Sequence, residues 1–176
     1  WRIGQKGEAA FCKLTGNAQP LGITNGPDGA LWFTEPGTNS IGRLPTSKNC
    51  SALAEFKIPT GSAGPAGIVA GTDNALWFTE RSKQKLGRIT VTGAFTEYPL
   101  TGSKTPDAII QGVDGNFYFT DTGGNQIGQF IFKNQNVKFF AVPTANAQPT
   151  AMTLGPDSQI YFTETGADRI GQFKYF

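Results

Sequence analysis

Four acidic side chains recur at near-constant distance, Glu35, Glu80, Asp121 and Glu164, each preceded by an aromatic residue and a threonine. Carboxylates gathered at one place can hold a hard cation such as magnesium or calcium through oxygen ligands. Asp107 adds a second chemistry. It follows Pro106 and precedes Asp121 by 14 residues, and two neighbouring carboxylates can split their pKa values and act as acid and base. No histidine occurs among the 176 residues, so the commonest general base near neutral pH is missing, as is the commonest side-chain ligand of zinc and copper. Catalysis by these residues would rest on carboxylates, hydroxyls, Tyr, Lys or Cys. The structural alternative is that each Thr-Glu pair ends a strand by bonding nearby backbone N–H groups and a basic residue of the next strand.

The elements that position these carboxylates follow from an internal repeat. The segments 26–35 (GPDGALWFTE), 71–80 (GTDNALWFTE), 112–121 (GVDGNFYFTD) and 155–164 (GPDSQIYFTE) align without gaps, their starts separated by 45, 41 and 43 residues. A second motif follows each, at Ile41-Gly42-Arg43, Leu86-Gly87-Arg88, Ile127-Gly128-Gln129 and Ile170-Gly171-Gln172, and a fifth copy is Ile3-Gly4-Gln5. Pro20, Pro65, Pro106 and Pro149 precede the repeats, and Phe11, Phe56, Tyr98 and Phe140 mark a third motif. The Asp-Gly variants predict hairpin turns, with Asp bonding the local backbone and Gly taking positive φ. Each unit then holds four short strands, which is the pattern of propeller blades; no 10-residue stretch of helical period is free of Gly and Pro.

The expected fold is all-β: a β-propeller of four-stranded antiparallel blades, with a partial blade at 1–16 and blades at 17–60, 61–101, 102–144 and 145–176. The last lacks an outer strand of its own. Within a blade the inner strand runs away from the proline and the second runs back. The residues after the prolines, Leu21, Ala66, Asp107 and Thr150, therefore share one face with Glu35, Glu80, Asp121 and Glu164. That face is the expected ligand surface, with the four acidic residues as candidate metal ligands and Asp107 and Asp121 as candidate catalytic residues. Trp32, Trp77, Phe117 and Tyr161 read as residues buried between sheets rather than as a sugar-stacking platform.

Composition narrows the class. With 38% apolar residues, 12% aromatics and a net charge of +2, the chain is globular rather than disordered. Its basic residues are scattered, so no nucleic-acid partner is expected; the densest group, Arg81, Lys83 and Lys85, reads as a solvated loop, with an anion site as the alternative. No apolar run approaches the ~18 residues of a membrane span. Cys12 and Cys50 fall at outer positions of consecutive units, where a disulfide is geometrically possible. With the sequon at Asn49-Cys50-Ser51 they point to an oxidising, extracellular, secreted setting and a glycoprotein.

The string GPDGALWFTE, followed by Asn39-Ser40-Ile41-Gly42-Arg43 and later by Thr96-Glu97-Tyr98-Pro99-Leu100, resembles the virginiamycin B lyase (streptogramin lyase) family over nearly the whole chain. The resemblance implies a seven-bladed propeller. It also implies a magnesium-assisted elimination that opens cyclic streptogramin B antibiotics, with a His directly after a pre-blade Pro as general base. The four post-proline positions here carry no His. The reading is therefore a secreted, lyase-like propeller that binds a small molecule, glycan or protein on one face. The alternative is a fragment or subunit of a magnesium-dependent carbon-oxygen lyase that linearises streptogramin B depsipeptides. Four blades fit an arc of a larger ring, or one completed by a second chain through self-association. A closed four-bladed ring would need the segment around Phe11 to supply the missing outer strand.

Overall fold

The computed structural model describes residues 11–46 and 50–175; Ile3-Gly4-Gln5 and Asn49 lie outside them. Fifteen strands form among the described residues, with two one-turn 3₁₀ helices and no α-helix. The first blade is β1 (Ile23–Asn25), β2 (Ala30–Glu35), β3 (Ser40–Pro45) and β4 (Ala54–Lys57). The second is β5 (Pro65–Ala70), β6 (Ala75–Glu80), β7 (Lys85–Thr90) and β8 (Phe95–Pro99). The third is β9 (Pro106–Gln111), β10 (Phe117–Asp121), β11 (Gln126–Ile131) and β12 (Asn136–Ala141). The fourth is β13 (Pro149–Leu154), β14 (Ile160–Glu164) and β15 (Arg169–Phe173). Each sheet is an antiparallel meander in sequence order, and the first strands β1, β5, β9 and β13 neighbour one another in succession, so they form the inner wall.

Local chemistry sets each hairpin. In the first blade Asp28 accepts from the Ala30 N–H, and Gly29 takes a φ of 72° that a side chain would resist. Phe33 pairs with Gly42, Phe78 with Gly87, Phe119 with Gly128 and Phe162 with Gly171. A Cβ on any of those four glycines would run into the facing ring. The Phe of one motif and the Gly of the next are therefore a single packing unit.

Strand alternation gives every blade two working faces. On the face toward the following blade the first sheet shows Trp32, Thr34, Ile41 and Phe56; on the opposite face the second shows Leu76, Phe78 and Ile89. These surfaces meet in one buried cluster together with Ile68, and the second and third blades repeat it with Trp77, Leu86, Ile109, Phe117 and Phe119. A smaller cluster of Ile127, Val142, Ala147 and Phe162, with Met152, joins the third to the fourth.

A polar pin runs through each junction. The Thr34 hydroxyl accepts from the Gly22 N–H of its own blade (2.9 Å) and donates to the Ala66 carbonyl of the next (2.8 Å). Thr79 does the same between the Gly67 N–H (3.0 Å) and the Asp107 carbonyl (2.6 Å), and Thr120 between the Ala108 N–H (3.0 Å) and the Thr150 carbonyl (2.7 Å). Inner strands β5, β9 and β13 break register just after their prolines, and the hydroxyls serve the backbone groups released there.

The termini differ from two expectations. Cys12 lies in irregular chain rather than on an outer strand, and the Phe11 segment does not pair with β15, whose sole strand partner is β14. The cause is local: Cys12 is disulfide-bonded to Cys50, and Thr15 donates through its N–H and hydroxyl to Glu55 on β4. The leading segment is thereby held on the first blade. Replacing Thr79 with Val keeps its shape but strands the Gly67 N–H and the Asp107 carbonyl. Thermal unfolding should show a loss of about 2 kcal/mol, or about 6 °C in Tm. Thr79→Ser retains the hydroxyl and should lose about half as much.

Candidate functional site

Cross-strand pairing sets each proline opposite its acidic residue: Pro65 with Glu80, Pro106 with Asp121 and Pro149 with Glu164. The post-proline residues and the carboxylates therefore sit at one end of their blades, where the loops 36–39, 81–84, 122–125 and 165–168 also lie. Leu21 is exposed, Ala66 is buried, and Asp107 and Thr150 are half-buried.

The acidic side chains are buried at this end, and each has its own surroundings. Asp121 accepts from the Lys104 and Thr105 backbone N–H groups and from the Gln126 amide (2.7 Å). Glu35 accepts from the Thr38 hydroxyl, and burial followed by the nearby Glu55 raises its pKa. Neither oxygen of Glu80 has a hydrogen-bond partner. Burial pushes its pKa to about 8, and the Glu97 carboxylate beside it adds to the rise against a smaller opposing pull from Lys85. Glu97 is fully engaged, accepting from the Thr60 N–H and hydroxyl and from the Lys85 ammonium (3.1 Å). One Glu164 oxygen is buried without a partner.

These carboxylates do not make the centres expected of them. A hard divalent cation needs several oxygens at once, and no three His, Cys, Asp or Glu side chains gather to hold one among the described residues. Glu35 and Glu80 lie on sheet faces that look back at the preceding segment, beside Glu55 and Glu97, so the acids are dispersed around the blades. Magnesium and calcium thus do not fit the set Glu35, Glu80, Asp121 and Glu164. Asp107 and Asp121 have separate partners: the Asp107 carboxylate is ion-paired with Arg81 of the preceding blade, while Asp121 accepts from backbone N–H groups. The basic loop group separates in the same way, Arg81 to Asp107 and Lys85 to Glu97.

The aromatic and basic motif residues prove to be one device. The turn acid Asp28 accepts from the Trp32 indole N–H (2.9 Å) and from the Arg43 guanidinium (2.6 Å), and Asp73, Trp77 and Arg88 repeat the arrangement. Burial opposes it, yet Trp32 and Arg43 together hold the Asp28 pKa low. In the third blade the Tyr118 hydroxyl donates to Asp114 (2.8 Å) and accepts from the Gln129 amide (2.7 Å), and Tyr161, Asp157 and Gln172 follow suit. An indole N–H only donates, so its partner must satisfy Asp directly; a phenol can donate and accept at once. That is why Arg accompanies Trp and Gln accompanies Tyr. The structure puts Tyr118, not Phe117, at the Trp position, and Trp32, Trp77 and Tyr118 are all fully buried.

Two outcomes follow. Glu80 is protonated more readily in the folded chain, so its contribution is complete below about pH 4.5 and is lost as pH rises toward about 8. Glu80→Gln should leave Tm nearly unchanged at pH 4 and raise it by about 5 °C at pH 9, in thermal melts across pH. In a double-mutant cycle read by urea unfolding, Arg43→Gln sets amide N–H against indole N–H. Adding Trp32→Tyr should recover about 1 kcal/mol relative to the sum of the single losses.

Comparison with known proteins matches this architecture to a family. The profile of the Virginiamycin B lyase family matches residues 1–175. Virginiamycin B lyase from Staphylococcus aureus superposes with a TM-score of 0.90 at 37% identity, covering 98% of this chain and 58% of that one. The same values hold for the catalytically inactive His-to-Ala variant of that enzyme with quinupristin. A streptogramin B lyase structure superposes with a TM-score of 0.86 at 35% identity, over 99% of this chain and 61% of that one. A nidogen/laminin complex, at 20% identity and a TM-score of 0.73, shares the fold. No curated protein sequence matches. The chain spans somewhat over half the length of the lyases it resembles, and it belongs to the virginiamycin B lyase family.

Proposed function

We propose that these residues form a ligand-holding wall of a lyase-like propeller, one that binds a small cyclic molecule, a glycan or a protein segment on its proline face without performing the elimination itself. The observation that carries this is the state of the groups available there. The four post-proline positions are Leu21, Ala66, Asp107 and Thr150. The one ionisable side chain among them, Asp107, is already neutralised by Arg81. Asp121 is engaged by three donors, and Glu80 favours its protonated form at neutral pH, so Glu80 is no ready base there. The resemblance implies a His directly after a pre-blade proline as general base, and none of these four positions is His. A secreted, oxidising setting accords with the Cys12–Cys50 disulfide. No helix among the described residues is long and apolar enough to cross a membrane.

A second reading is favoured by the match to the lyase that was solved with quinupristin. In it these blades are the larger part of a carbon-oxygen lyase for streptogramin B depsipeptides, with the general base and the magnesium ligands supplied by residues outside this sequence.

Quinupristin is a direct probe of both. Calorimetric titration should show binding to this chain with or without magnesium. Mass spectrometry of the recovered ligand should find it still cyclic. Asp107→Ala, which frees Arg81, should shift the affinity about fivefold or more. Linear product formed by this chain would overturn the binding-wall reading; magnesium-dependent linear product formed only when the chain is extended to the length of the lyases it resembles would establish the second.

A further inference from the structure

At the proline face, each blade junction is flanked by the residue after an acidic strand end and the residue after the next proline. At the first junction these are Pro36 and Ala66, which carry neither charge nor hydroxyl. At the third they are Thr122 and Thr150, and both hydroxyls are spent on carbonyls, Thr122 on that of Pro149 (2.6 Å) and Thr150 on that of Gln148 (3.2 Å). At the second they are Arg81 and Asp107, ion-paired across the junction. Of the three junctions, the second therefore places charge at these flanking positions and the other two do not.

The pair is held still by its backbone and under-used by the protein. The Arg81 N–H donates to the Gly64 carbonyl (3.1 Å), and the Asp107 carbonyl receives the Thr79 hydroxyl (2.6 Å). A guanidinium has five N–H donors and a carboxylate about four acceptor sites, yet one hydrogen bond joins these side chains among the described residues, from Nη2 to Oδ1. Arg81 Nε is buried with no partner, while Arg81 Nη1 and Asp107 Oδ2 are neither buried nor bonded to a described residue. The Arg81 side chain is 40% exposed and that of Asp107 17%, so solvent reaches both. A donor and an acceptor thus stand open together on fixed backbone, with no net charge between them.

We propose that the Arg81–Asp107 pair is the docking point for a neutral amide edge, a primary carboxamide or a lactam, whose carbonyl accepts from the free guanidinium N–H groups while its N–H donates to Asp107 Oδ2. This deepens the binding reading above, on which it rests, by naming the chemical group received. A carboxylate would reach Arg81 only beside the like charge of Asp107, and an ammonium would reach Asp107 only beside Arg81; such like-charge contacts reject a partner. A trans peptide amide aims its carbonyl and its N–H in opposite directions, whereas a carboxamide or lactam carries both on one edge. A sugar diol also offers donor and acceptor, but none of the four post-proline and four post-acid positions holds an aromatic residue to stack on its ring.

Nitrogen–proton NMR of the Arg81 Nε–H resonance, assigned by its loss in Arg81→Lys, tests this on the 176-residue chain. Butyrolactam and acetamide should shift the resonance saturably at about millimolar concentration. Acetate, N-methylacetamide and ethylene glycol should each bind about fivefold more weakly, the worth of one hydrogen bond. Asp107→Asn keeps the side-chain shape and both backbone bonds but removes the like charge, so the order should invert, with acetate now tighter than butyrolactam. A pair that serves structure alone would show no such inversion. Acetate or ethylene glycol matching butyrolactam on the wild-type chain would overturn the proposal, as would a resonance that neither amide moves. Quinupristin bound without moving this resonance would overturn it while leaving the binding wall standing. Butyrolactam moving the resonance with quinupristin unbound would uphold the amide site and count against that wall.

Discussion

A single hydroxyl per blade holds the arc together. The inner strands must break register after their prolines to turn along the wall, and each break releases an N–H on one blade and a carbonyl on the next. The threonine before the acidic residue serves both, accepting from its own sheet and donating across the junction. A threonine is suited to this because its hydroxyl both accepts and donates, while its methyl group packs among apolar neighbours. The large clusters around Trp32 and Trp77 add most of the buried area, but area is not directional. The hydroxyl fixes where one sheet stops sliding on the other.

From that pin the remaining features take their places. With threonine turned toward the next blade, strand alternation turns the adjacent carboxylate toward the preceding segment. There it meets an acid of the outer strand in two blades and backbone N–H groups in the third. The charged face of the propeller is thus a by-product of the geometry that seals the junctions. A proton held by Glu80 avoids placing two charges beside each other in a dry site, as buried carboxylates tend to do.

Much of this was legible in the sequence, and the parts that were not have a common cause. Turn residues and repeat spacing prescribe the hairpins, and the proline-to-acid distance places Pro65 opposite Glu80 because strand pairing is local. The role of Thr34, Thr79 and Thr120 was hidden because their partners are carbonyls of another blade, which sequence spacing does not reveal. Repetition of threonine in all four copies was the signal available. The exchange of Trp with Arg for Tyr with Gln was equally visible, as covariation between Trp32 and Arg43 on one side and Tyr118 and Gln129 on the other. The dispersal of the acids was not legible, since it depends on which sheet face each side chain occupies.

The Cys12–Cys50 crosslink gives the molecule a direction. It ties the leading segment across the outer edge of the first blade, at the far end of the arc from the three-stranded fourth sheet. In an array whose stability passes from neighbour to neighbour, one end is clamped covalently and the other is held by the smallest of the three clusters. Among the described blades, separation therefore starts at the junction of the third with the fourth, and the first blade is the last to let go.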